Sequence, residues 1–365
     1  MSSENTFHGW AAVAKDKPLV WTELPLKNFD DDCVDMKVSH CGVCDSDIHT
    51  QNEDWGKTNF PCVTGHEIVG ECTRVGPRTS TYNSHYPNGD KSFGSYADKW
   101  RGHQRFVFKV PDNMTNEVAA TFFCAGVTTY SPLKRYGVNS SSKVGVIGIG
   151  GLGHFAVQWA KPMGAEVVAL SSSDRKRDDA VELGCDHYVV TSRPEEAKPH
   201  MGTFTHIIAT HVSDNFDWNM YFNKIDTNGY FIMVALPEAS LSGIPSMTLA
   251  CRQIALVGSL IGSPAMIEDM LNFAAEHNVK PWLNKYSMKD CNEAIQAFKD
   301  GKPRYRKLYL LDSKNINLSY FISIYLFYVL YKVKEKTSFF WAISAGNIYL
   351  SHVNYSQRNY FDGLK

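Results

Sequence analysis

The stretch "KVGVIGIGGLGHFAVQWAKPM" (143–163) constrains the fold more than any other part of the chain. An apolar run of strand type meets a G-x-G-x-x-G turn, and a helical pattern follows at once. The turn holds Gly148, Gly150 and Gly153, with Gly151 and Leu152 between them. Such a turn alone is a weak signal. Between a strand and a helix it lets the backbone bend tightly and approach a pyrophosphate, which then faces the first N–H groups and the dipole of the helix. These five residues are therefore cofactor-binding candidates. Pro162 falls late in the helix and should shorten or kink it.

Further strand-like runs follow at intervals: "AEVVALS", "HYVV", "THIIAT", "GYFIMVAL" and "IALVGSL", with helical patterns between the first of them. Strands alternating with helices indicate a parallel, doubly wound sheet. The second strand ends at "LSSSDRK". An acid there would receive the ribose of NAD. Ser171, Ser172 and Ser173 stand there instead, followed by Arg175, Lys176 and Arg177. Hydroxyls and cations suit a 2′-phosphate, so NADP is the expected cofactor, with Lys176 among its ligands. Asp174 counts mildly against this.

The region before residue 116 has a different texture, rich in Gly, Pro and Asp, with short β-like runs such as "RFVFKV" (105–110). Its densest chemistry is "HCGVCDSDIH" (40–49). Cys41 and Cys44 form a C-x-x-C, which reads as half of a zinc ribbon, as a redox pair, or as part of a reaction centre. No second C-x-x-C occurs in the chain, which weighs against a ribbon. Nine scattered cysteines do not suggest a secreted disulfide framework. The N-terminus lacks a basic segment followed by an apolar run, so the expected location is the cytosol. A net charge of -1 gives no reason to expect nucleic acid or an anionic membrane as partner.

Taken together, "GVCDSDIH", "NEDWG", "PCVTGHEIVG", "YADKWRGHQRFVFKVPDN", "CAGVTTYSPLKRYGV" and the Gly-rich turn resemble the zinc-dependent medium-chain dehydrogenase/reductases. Within them the chain is most similar to the branch of cinnamyl alcohol dehydrogenases and yeast and fungal NADP-dependent alcohol dehydrogenases. The resemblance runs from about residue 8 to residue 311. It implies an α/β protein with a discontinuous GroES-like β-barrel catalytic domain (1–116 and 257–312) and a Rossmann domain (117–256), the active site lying between them. It places the catalytic zinc ligands on Cys44, His66 and Cys124. Glu67 would be a carboxylate able to approach or replace a ligand, and Cys41 a bystander. Two thiolates and an imidazole leave one position open, as a catalytic zinc requires. Ser46 and His49 match the family's proton relay, with Asp54 orienting His49. The implied chemistry is hydride transfer from a nicotinamide to a carbonyl polarised by zinc, the proton passing through Ser46 and His49. Trp55, Phe122 and Phe123 are candidates for the substrate cleft. Homodimers through the Rossmann sheets are implied, with 254–262 near the edge.

The chain departs from the family in two places. After Val75-Gly76 it jumps to "PRTSTYNSHYPNGDKSFGSYADKW", without the several tens of residues that carry a barrel strand and four closely spaced cysteines for a structural zinc. A missing exon, through splicing or gene prediction, would explain this. One catalytic zinc and no structural zinc are then expected, with part of the barrel and of the cleft wall absent. After Asp312 the texture changes abruptly, and 313–365 reads as an extension foreign to the fold. Its apolar stretch, 316–331, is shorter than the roughly 20 residues needed to span a bilayer.

The leading function is therefore NADP(H)-dependent reduction of aromatic or medium-chain aldehydes. One alternative is reduction of a carbon–carbon or iminium double bond on the same scaffold. Another is a truncated remnant that only binds NADP(H).

Overall fold

The computed structural model describes residues 5–29, 33–75, 89–213, 215–237, 240–300 and 305–310. All belong to one compact unit, residues 1–322. The junction at 76–88 and the tail at 313–365 lie outside the described residues.

The N-terminal part contains β1 (Thr6–Ala12), β2 (Val20–Pro25), β3 (Cys33–Val43), the helix α1 (Asp45–Asn52), β4 (Cys62–Val63), β5 (Glu67–Val75) and β6 (Lys99–His103). β1 pairs antiparallel with β2 and β4. β3 is the spine of a second sheet. β5 runs antiparallel along one of its edges, and Val34 faces Val75 there and Gly102 of β6 on the other edge. Further along, β3 meets a strand from the far end of the chain.

After β6 come α2 (Asn116–Ala120), a π-helical turn Phe122–Gly126, α3 (Val127–Arg135), β7 (Lys143–Ile147) and α4 (Gly153–Ala160). β8 (Glu166–Ser171), β9 (His187–Val190), β10 (Phe204–Ala209), β11 (Ile225–Met233) and β12 (Ala255–Gly258) complete a six-stranded sheet, ordered β9-β8-β7-β10-β11-β12. Every pairing in it is parallel. Its inner strands are covered on both faces, which is why Val144, Val146, Val167, Val168, Leu170, Ile207 and Ile208 are all buried and the strands read as unbroken apolar runs. The strand order reverses between β7 and β10, and a crevice opens there at the carboxyl ends. This is the expected Rossmann-type sheet. Helix α4 ends at Ala160, two residues before Pro162, as the missing N–H of proline dictates.

The chain then forms β13 (Leu283–Ser287) and β14 (Arg306–Leu310). β14 pairs parallel with β13 and antiparallel with the end of β3, so the last described strand closes onto the N-terminal sheet. One reading differs from the structure. "RFVFKV" is no strand: residues 104–106 form a single 3-10 turn and the chain continues irregularly. Its apolar side chains pack singly, Phe108 against Phe123, without a sheet partner. The strand at 283–287 has no apolar alternation; Leu283 and Tyr286 pack on two separate apolar clusters and Lys285 pairs with Glu117 at 2.7 Å. No helix among the described residues is long and apolar enough to cross a membrane.

Candidate active site and metal centre

Three separate segments bring the site together. Cys44 caps α1, with extended backbone (φ -125°, ψ 154°), and the acids Asp45 and Asp47 in the first turn suit the helix dipole. His66 and Glu67 stand at the entry of β5. Cys124 lies in the π-helical turn, a geometry that often marks functional positions. The potential ligand atoms of Cys44, His66, Glu67 and Cys124 all lie within 4.8 Å of one another, and the two sulfurs are 3.6 Å apart. Two thiols, an imidazole and a carboxylate are a donor set that fits zinc. Cys41 is not in this group. Its thiol is buried, accepts a hydrogen bond from Ser95 at 3.1 Å, and is held protonated by burial.

Asp47 carries no role in the sequence reading, and the structure makes it the centre of the constellation. It is fully buried. Oδ1 accepts from the Gly65 N–H at 2.9 Å and lies 3.0 Å from His66 Nδ1. Oδ2 accepts from the Cys44 N–H at 3.2 Å and the Tyr96 hydroxyl at 2.8 Å. Donation from Nδ1 leaves His66 Nε2 as the nitrogen for a metal, the arrangement that orients metal-binding histidines generally. Burial, the largest influence on His66, lowers its pKa, but Asp47 and Cys44 together raise it well above the ordinary histidine value. The signal in the sequence was the spacing Cys44-x-x-Asp47, that of a capping box. Tyr96 carried no signal, since its partner is far away in the chain.

Glu67 is also fully buried. It faces Gly42 across the β3–β5 ladder. A Cβ at Gly42 would lie 2.1 Å from Glu67 Oε2, so the glycine makes room for the carboxylate. Ser46 Oγ is 3.6 Å from Cys44 Sγ. His49 Nδ1 is 2.8 Å from Asp54 Oδ2, and its ring stacks on Trp55 at 4.5 Å.

Cys44, Ser46, His49, His66 and Cys124 line one end of a cleft of about 1270 Å³. Trp55, Phe106, Phe108 and Phe123 form aromatic parts of its wall. Phe122 does not: it is fully buried and packs on Phe155 and Trp159. The other end is the Gly-rich turn, where Gly148, Gly150, Gly151 and Leu152 line the cleft. Gly148 has φ +83°, which only glycine adopts readily. At Gly153 a Cβ would lie 1.9 Å from the Gly148 carbonyl oxygen, so the third glycine permits the close approach of α4 to β7. Ser171, Ser172, Ser173, Arg175 and Lys176 also line this end. Ser171 Oγ donates to the Ser173 carbonyl at 3.1 Å. Lys176 donates to the Ile149 carbonyl. Arg177 turns away, bound to Asp174 at 2.7 Å and Glu196 at 3.0 Å.

A dinucleotide-type turn and a thiol–imidazole centre in one cleft define a nucleotide-dependent oxidoreductase with a metal site. Comparison with known proteins agrees. Residues 30–157 match the family described as alcohol dehydrogenase GroES-like domain, and residues 151–276 match that described as zinc-binding dehydrogenase. The NADP-dependent alcohol dehydrogenase C of Mycobacterium bovis is 32% identical over 339 residues, covering 83% of this chain and 97% of the relative. Among solved structures, a cinnamyl alcohol dehydrogenase from Sorghum bicolor is 29% identical with a TM-score of 0.78, covering 86% of this chain and 100% of that one. A CAD from Helicobacter pylori, complexed with NADP(H), is 26% identical with a TM-score of 0.76, covering 86% and 99%. The chain belongs to the zinc-type medium-chain dehydrogenase/reductases and is an oxidoreductase of the alcohol dehydrogenase type.

Proposed function

We propose that the chain is an NADP(H)-dependent alcohol dehydrogenase that reduces cinnamyl-type, other aromatic or medium-chain aldehydes, with a single zinc held by Cys44, His66 and Cys124 and approached by Glu67. The observation that carries this reading is the convergence of those four residues, three of which, Cys44, His66 and Cys124, stand on the wall of the cleft whose other end is the Gly-rich turn. NADP is supported by the serines and cations after β8 and by the absence of an acid at position 171. The NADP-dependent relative from Mycobacterium bovis and the NADP(H) complex from Helicobacter pylori point the same way. The aromatic wall supports an aromatic or extended apolar substrate.

When bound, zinc supplies Lewis acidity toward a carbonyl oxygen and the nicotinamide supplies the hydride. The chain's own residues do the rest. Cys44 and His66 are pre-set by Asp47, so little reorganisation is needed at those two residues. Ser46 stands beside Cys44 to hand a proton to the product oxygen. His49, fixed by Asp54 through Nδ1 and by the face of Trp55, carries that relay onward. The same reading keeps the division into 1–116 with 257–312 and 117–256, a cytosolic location, and a homodimer through the β12 edge of the six-stranded sheet.

The test follows NADPH absorbance with cinnamaldehyde, alongside the zinc content of the purified chain. Turnover that a chelator abolishes and zinc restores is expected. NADPH binding with neither zinc nor turnover would leave a nucleotide-binding remnant. Zinc-independent reduction of a conjugated double bond would make the chain a double-bond reductase.

A further inference from the structure

Tyr305, directly before β14, carries a backbone angle that nothing in its own chemistry favours: φ +76°. A bulky residue in this region is strained and persists only where its surroundings hold it. Those surroundings are the cofactor loop. The Tyr305 hydroxyl donates to Asp179 at 2.5 Å, and both residues are buried. Asp179 belongs to the helix Arg177–Glu182, which begins where the loop 171–176 ends. The Lys176 ammonium sits 5.3 Å from the Tyr305 ring centroid. The ring also packs on His154, in the first turn of α4, at 5.3 Å, and edge-on against Trp282 at 5.0 Å. One side chain from the returning segment thus touches the loop after β8, the helix behind it and the helix that opens from the Gly-rich turn, and it lines the cleft itself.

We infer that Tyr305 is a positioning residue for the 2′-phosphate of NADP, acting through Lys176. This rests on the NADP reading above. A lysine stem is flexible and loses rotamer freedom when its ammonium is captured. A ring beneath the ammonium, and the Ile149 carbonyl accepting one of its N–H groups, take up that loss before the cofactor arrives. NADH lacks the 2′-phosphate and gains nothing from the arrangement. Tyr305 therefore sets the choice between the two cofactors without touching the nicotinamide.

The experiment measures Kd for NADPH and NADH by nicotinamide fluorescence in the wild type, Tyr305→Leu, Lys176→Ala and the double variant. Tyr305→Leu should weaken NADPH about two- to thirtyfold, the range of a cation–ring contact. NADH should stay within about twofold, and the effect should vanish once Lys176 is already alanine. Equal losses for both cofactors, or a full effect of Tyr305→Leu on the Lys176→Ala background, would overturn the inference and leave Tyr305 as packing. A wild type with no preference for NADPH would instead defeat the NADP reading itself. If the leucine variant does not fold, Tyr305→Phe is compared with pentafluorophenylalanine at the same position, which keeps the shape and reverses the ring's electrostatics. NADPH affinity should fall from the first to the second with NADH unmoved; no difference would refute the role.

Discussion

Asp47→Asn is the substitution that tests the architecture of the metal centre most directly. The carboxylate serves four donors, two on each oxygen, with full burial. An amide offers one acceptor oxygen. If that oxygen replaces Oδ1, Gly65 and His66 keep their partner, but the new NH₂ group confronts the Cys44 N–H and the Tyr96 hydroxyl. The hydroxyl can rotate and accept; the backbone N–H cannot. If the amide turns round, the Gly65 N–H and the His66 Nδ1–H lose instead. Either way one residue of the proposed zinc site, Cys44 or His66, loses its anchor. Each hydrogen bond to a charged group is worth about 1.5–3 kcal/mol, so one to two losses amount to about 2–5 kcal/mol. Part of this falls on folding and part on metal binding, where losing such a supporting contact weakens affinity about 10- to 100-fold. The assay is competition for zinc between the metal-free chain and a chromogenic chelator, with thermal melting of the metal-free forms beside it. An asparagine variant that folds and holds zinc within about twofold of the wild type would refute the claim that Asp47 orients the ligands.

Other expectations are equally specific. His49→Gln should lower kcat about 10²- to 10⁴-fold while zinc content and the Kd for NADPH hold; unchanged turnover would remove His49 from the proton path. Gly42→Ala puts a Cβ 2.1 Å from Glu67 Oε2 and 2.8 Å from Glu67 Cβ on a paired strand, and should destabilise by about 1–3 kcal/mol, read as a lower Tm. A wild-type melt would mean that the Glu67 carboxylate yields freely. Glu196 accepts from the Val190 N–H and pairs with Arg193 and Arg177, which holds its pKa at about 2 against an ordinary 4.5. Because the folded value is depressed, its stabilisation is present above pH 4.5 and is lost as pH falls toward 2. Glu196→Gln should accordingly flatten the urea midpoint against pH across that window, and an unchanged slope would count against the network.

Much of this protein was legible because its strongest signals are local. The strand, turn and helix around Gly148 are contiguous, and the buried strands of the parallel sheet announce themselves as apolar runs. Pro162 ends α4 for a reason that one residue contains. The grouping of Cys44, His66 and Cys124 was reached only through resemblance, since nothing local ties Cys124 to Cys44. What stayed hidden shares one cause: it depends on pairs distant in the chain. Asp47 looked like one more acid until Tyr96 and Gly65 were placed beside it. Arg177 looked like a phosphate ligand, but Glu196, nineteen positions on, claims it. Phe122 and Phe123 are neighbours of one type, yet one packs in the core and the other faces the cleft, a difference set by the π-helical turn and invisible in composition. Residues 105–110 have strand-like composition but no partner strand.

Asp47 also separates what can drift from what cannot. The four donors it gathers come from α1, the entry of β5 and the segment before β6, and none of them is an aromatic of the cleft wall. Trp55, Phe106 and Phe123 can therefore be exchanged without breaking any of the four contacts that Asp47 makes. A scaffold built in this way can change its diet while keeping its teeth.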